Sequence, residues 1–163
     1  DRLPDNGGVV MVDFLPSYVS DAVWHHQAAR RGEQARLEVL YLGDPEGFDR
    51  ALAVWDAANP QPRATLAQVA DHVDYIKERI GVDHIGIGSD FDGMRDQPDG
   101  LDDVSAFPAL LVELLRRGYT DRDIAAIAGD NVLRAMEKAE RQRVRLRKSD
   151  PIGTRRDIAE SMR

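Results

Sequence analysis

The residues best suited to chemistry in this chain of 163 residues lie in the run Gly86-Ile87-Gly88-Ser89-Asp90-Phe91-Asp92-Gly93. A short apolar strand that ends in carboxylates delivers them to the C-terminal rim of a parallel sheet, where α/β folds bind their ligands. Glycines at alternate positions, Gly86 and Gly88, leave one face of that strand bare, so another segment or a ligand can come close. On an extended strand Asp90 and Asp92 would share a face, whereas a turn at Phe91 would separate them. Two chemistries suit such a strand end. One is ligand binding at the rim. The other is phosphoryl transfer, with the first carboxylate as nucleophile and Mg²⁺ ligand and the second as acid and base. Against the second, Gly86 and Gly88 make a poor version of the hydrophobic strand such phosphatases use, and residue 94 is Met where their motif usually carries Thr. A third reading involves no chemistry: an Asx turn in which both carboxylates accept hydrogen bonds from backbone N–H groups.

Other constellations fail. His25 and His26 are adjacent on a polar helix, so they cannot face one metal and read as solvated surface. His72 falls on the polar side of its helix, and His84 precedes the strand at the end that is normally structural. There is no His-Glu-x-x-His and no histidine pair at metal spacing. The chain has no cysteine, which removes disulfides, thiolate metal sites and a thiol nucleophile. Gly86-x-Gly88 lacks the third glycine of a dinucleotide site, and neither a Gly-Lys-Ser/Thr loop nor a G-x-S-x-G elbow is present.

The elements that must position Asp90 follow from periodicity and punctuation. Residues 9–14, VVMVDF, read as a parallel strand covered on both faces, with Asp13 at its C-terminal end. Residues 21–60 are helical in composition, broken at Gly43-Asp44-Pro45 and closed by Asn59-Pro60-Gln61-Pro62, which predicts two helices, 21–40 and 45–57. Thr65 followed by Gln68 is a capping-box pattern. Leu66, Val69, Val73, Ile76 and Ile80 then make one apolar stripe, stopped by Gly81. A second strand runs from Ile85 to Ser89. Pro108 starts a helix that Gly118 stops, Thr120 and Asp123 cap a short one that Gly129 stops, and Asp130 caps the last. From Ala139 onward basic residues outnumber acidic ones and the apolar stripe fades, which predicts an exposed, fraying helix end.

With 42% hydrophobic and 31% charged residues the composition is that of a globular protein. The formal charge of −7 argues against general nucleic-acid affinity, which needs cations to neutralise phosphates. No apolar run of about 18 residues exists to span a membrane. The absence of cysteine suits a reducing, cytoplasmic setting. Strand, long helical connection, strand and helices make an α/β chain with parallel strands. Two strands cannot form a doubly covered sheet, and a complete (β/α)₈ barrel takes about 250 residues. The chain also enters its first strand within a few residues of Asp1, with no initiator Met. The expectation is therefore the C-terminal part of a TIM-like (β/α)₈ barrel, its last two strands with their helices, over 1–138, followed by a charged tail over 139–163. Such a piece exposes strand edges and should associate, as a homo-oligomer or with the missing barrel half.

Several ordered motifs resemble the membrane (renal) dipeptidase family. They are DHVDYI (71–76), GVDHIGIGSDFDG (81–93), PDGLDDV (98–104), LLRRGYT (114–120) and AGDNVLRAM (128–136), with GGVVMVDFLPSYVS (7–20) similar to the family's penultimate barrel strand. The insert at 21–60 looks like the bacterial branch. The resemblance implies a (β/α)₈ barrel that hydrolyses dipeptides at two zinc ions, whose ligands lie earlier in the family's chain and not in this stretch, so that the piece alone should be inactive. It implies that Asp90 is the active-site aspartate that holds the dipeptide's free amino group and can handle the proton, and that Tyr18 lies near the substrate. Asp13 departs from the Asn common in the family. A shortened relative kept as an interaction module is the alternative that the same motifs leave open.

Overall fold

The structure, a computed structural model, describes residues 2–149. A short helix α1 (Leu3–Asn6) leads into strand β1 (Val10–Asp13), a one-turn helix α2 (Pro16–Val19) and a hairpin of long helices, α3 (Asp21–Leu40) and α4 (Pro45–Ala58). Helix α5 (Leu66–Ile80) precedes strand β2 (Ile85–Ser89). Helices α6 (Phe107–Arg116), α7 (Asp121–Ala125) and α8 (Asn131–Ser149) complete the described chain.

Local chemistry explains most of these boundaries. Thr65 and Gln68 form the expected capping box, each satisfying a backbone N–H of the other. Gly81 ends α5 with φ 87°, a left-handed value that suits glycine because a side chain there is strained. Thr120 and Asp123 form a second capping box at the start of α7. The expected break at Gly129 is present, for its φ of 179° and ψ of −32° are not helical. Residues Ala126–Asp130 form a π-helical turn that carries α7 into α8 with a kink at Gly129. Asn131, 3% exposed, donates from its amide to the carbonyls of Val82 (2.8 Å) and Ile85 (2.9 Å), so the helix start is tied to the strand rather than capped by Asp130. His26 is also corrected. It is not simply solvated, because α4 packs on α3: its Nε2 donates to the Asn59 carbonyl at 2.8 Å and its ring lies 5.6 Å from that of Trp55. Beyond Lys138, α8 continues as an exposed helix; the remainder of the tail, 150–163, lies outside the described residues.

β1 and β2 pair in parallel, with Val10 opposite Ile85, Met11 opposite Gly86 and Val12 opposite Ile87. One face of this sheet is buried. Val12 and Ile85 join Phe14, Val69, Val73 and Leu114 in a core formed with α5, α6 and the π-helical turn. Full burial of a side chain of this size stabilises by about 1.5–3 kcal/mol, so this face holds the strands in place. The other face differs from the doubly covered strand that the apolar run suggests. Met11 is 47% exposed and lies across Gly86, where an added Cβ would meet its Sδ at 2.6 Å. The face that the glycines leave bare is occupied by Met11, and among the described residues neither outer strand edge has a further strand as partner.

Candidate functional site

The register shift between Val12 and Asp13 sets Asp13 opposite Ser89, and the Phe14 N–H donates to the Ser89 carbonyl at 3.0 Å. The two strands therefore end side by side. At that point β2 turns sharply: Ser89 and Asp90 take φ values of 53° and 69°. Two consecutive non-glycine residues in the left-handed region cost on the order of 1–3 kcal/mol each, and such strain clusters where function requires it. The Asp90 N–H donates to the Gly88 carbonyl (2.7 Å) and the Gly93 N–H to the Asp90 carbonyl (3.0 Å), closing a tight turn over 90–93.

Phe91 pins this turn. Its ring meets Phe14 edge-on at 5.7 Å and Phe107 at 5.6 Å, and Met94, which follows the turn, is buried in the core. With Phe91 held against the core, Asp90 and Asp92 are separated and both are exposed. Among the described residues neither carboxylate accepts a hydrogen bond, so the Asx-turn arrangement is not formed by this pair. Asp13 does form one: its Oδ1 accepts from the Leu15 N–H at 2.7 Å. Tyr18 stands on α2, immediately after β1, with 64% of its surface exposed. Asp13 and Asp90 thus share the strand ends and Tyr18 follows at the same end. Such a rim offers acceptors for a cationic group and a carboxylate free to exchange a proton. Among the described residues no three His, Asp or Glu side chains converge to hold a metal, so these residues do not fit a metal centre.

The opposite end of the strands is a staple. Arg134 donates to the carbonyls of Gly7 (3.1 Å) and Asp83 (2.6 Å), Lys138 to Asn6 (2.8 Å) and His84 Nδ1 to Gly8 (2.7 Å). His84 is structural, as its position before the strand suggests. Reasoning on the sequence missed the roles of Phe107 and Asn131. Only the aromatic and amide character of the two residues hinted at them, because both act on partners distant in sequence.

Residues 1–150 match the membrane dipeptidase family, peptidase family M19. Over 157 residues, 96% of this chain and 29% of the relative, the sequence is 38% identical to Dipeptidase ataJ of Aspergillus terreus. Over 94 residues, 58% of this chain and 23% of the relative, it is 48% identical to Dipeptidase verJ of Clonostachys rogersoniana. The crystal structure of the probable dipeptidase PvdM from Pseudomonas aeruginosa superposes with a TM-score of 0.61 at 31% identity, covering 82% of this chain and 37% of that one. The chain spans less than a third of the length of these curated relatives. Because the relatives are fungal and the solved structure is bacterial, the likeness is not confined to a bacterial branch.

Proposed function

Because this chain belongs to the membrane dipeptidase family, peptidase family M19, we propose that it is part of a zinc-dependent dipeptidase and supplies the substrate-side rim of the active site. The observation that carries this reading is the Asp90 turn, a carboxylate that accepts no hydrogen bond among the described residues, held at a strand end by a strained backbone and a half-buried aromatic anchor. In the proposal Asp90 takes the free ammonium group of the dipeptide and can accept or return a proton, while Tyr18 lines the approach. Asp13 adds charge to the same rim. The metal that the family implies would be held by residues outside this chain's described part, so no step of its chemistry is assigned to these residues, and the chain alone is proposed to be inactive.

The same reading makes residues 1–138 the C-terminal part of a (β/α)₈ barrel, with 139–163 a charged tail. It is supported by one helix-covered and one uncovered sheet face and by strand edges without further strand partners among the described residues. Association, either with the rest of the barrel or with further copies, and a cytoplasmic setting belong to the same proposal. No helix of the described chain is long and apolar enough to cross a membrane. The test is a zinc-supplemented dipeptidase assay on the chain alone and mixed with a separately produced N-terminal part of the barrel. Activity only in the mixture, lost in Asp90→Asn, is expected. Activity from the chain alone would overturn the assignment of the metal site elsewhere, and silence in a mixture shown to assemble would overturn the enzymatic reading.

A further inference from the structure

The Asp90 carboxylate folds back over the end of its own turn. A Cβ built on Gly93 would lie 2.8 Å from the carboxylate carbon of Asp90 and nearer still to its Oδ1, a separation at which something must move. The usual reason for a glycine does not apply, because Gly93 is not among the residues with φ in the left-handed region. What requires glycine here is space. The backbone on either side cannot yield readily: Phe91 packs against both Phe14 and Phe107, Met94 is buried, and the Gly93 N–H is tied to the Asp90 carbonyl. The Asp90 side chain can yield, since it is exposed and no donor among the described residues holds it.

We infer that Gly93 is a positioning residue for Asp90, its missing side chain leaving the volume in which the carboxylate stands at the strand end. The inference deepens the proposed function and rests on its reading of Asp90 as the group that meets the substrate. A methyl group at 93 displaces a free, solvated carboxylate and little else, so the fold survives while the reactive group is misplaced. Displacement of about 1 Å in a positioned group can cost about 100-fold in rate.

The test has two arms. In the isotopically labelled chain, Gly93→Ala is expected to leave the melting temperature unchanged and to move the Asp90 13Cγ resonance. An unmoved Asp90 resonance, or a lowered melting temperature with shifts spread through the core, would overturn the inference. In the assembled dipeptidase, Gly93→Ala is expected to lower kcat by up to about 100-fold and to have no further effect in an Asp90→Asn background, because it acts through that carboxylate. An equal loss in both backgrounds would also overturn it. Full activity in Asp90→Asn would sink the functional reading of Asp90 instead, and the 13Cγ arm would still decide the positioning role.

Discussion

The Tyr119 hydroxyl donates to the Asp74 carboxylate at 2.8 Å, joining the segment after α6 to the middle of α5. Arg117 reinforces the contact: one nitrogen, Nη1, lies 2.7 Å from both Asp71 and Asp74, while Nε donates to Glu113 at 2.9 Å. Lys77 stands 3.7 Å above the Tyr119 ring. Two of the motifs that carry the family resemblance, around 71–76 and 114–120, therefore meet as a lock between helices rather than at the strand-end rim.

The lock has a pH signature. Burial, together with the hydrogen bond to Asp74, pushes the Tyr119 phenol well above its ordinary value. A free phenol ionises near pH 10, so above that pH the unfolded chain loses a proton that the folded chain keeps. The stabilisation is fully present below about pH 10 and declines as pH rises toward the folded value, by about 1.4 kcal/mol per pH unit. Tyr119→Phe should cost about 1–2 kcal/mol at neutral pH, because Asp74 loses a donor, and should remove that alkaline slope. Urea unfolding between pH 8 and 11 reads both; identical slopes in the two proteins would refute the assignment.

Arg117→Met should destabilise by about 2 kcal/mol, since it leaves Asp71, Asp74 and Glu113 without their shared cation and retains only the packing of the stem. The pairs are partly exposed, so solvent screening keeps the loss below that of a fully buried charge. Burial works against the charged guanidinium, but the hydrogen bonds to the three carboxylates outweigh it and hold its pKa above the usual range. Chemical denaturation at low and high salt checks this, and a loss that vanishes at low salt would contradict it.

Asn131→Leu should cost about 3 kcal/mol. Two carbonyls at the entrance to β2 would lose their donor, and each buried unsatisfied group costs about 1–3 kcal/mol. Thr65→Ala removes only a helix cap and should cost about 1 kcal/mol. The ranking of the two variants by thermal melt is the measurement. A reversed order would mean that the π-helical turn can re-form without its amide anchor.

The contrast between these two positions shows what was legible in the sequence. Thr65 and Gln68 are three residues apart, and their bond is written in that spacing, as is the stripe of Val69 and Val73 and the strand end at Asp90. Asn131 acts on Val82 and Ile85, and Phe91 on Phe14 and Phe107, partners that only the folded chain brings near. The covering of β1 departs from its sequence pattern for a related reason. A near-continuous apolar run records that both faces are suited to burial, but it does not say whether the covering elements are present. At the rim, the residue types at Asp13, Tyr18 and Asp90 could be picked out, whereas the steric need for Gly93 could not, because it depends on how the Asp90 side chain folds back.

The exposed sheet face yields the last prediction. Met11 contributes little to the core of this chain, for its side chain lies on the face away from Val12 and is nearly half exposed. Met11→Lys should therefore change the melting temperature of the chain by no more than a surface substitution does, about 0.5 kcal/mol in stability. If the remaining strands of a barrel cover this face, the same lysine would bury an unpaired charge there, at a cost of several kcal/mol, and assembly with the N-terminal part should be lost. Sedimentation of the mixed halves, with and without the substitution, separates the cases. Undiminished assembly would place the partner elsewhere on the molecule, and a collapse of the isolated chain would show that Met11 belongs to its own core after all.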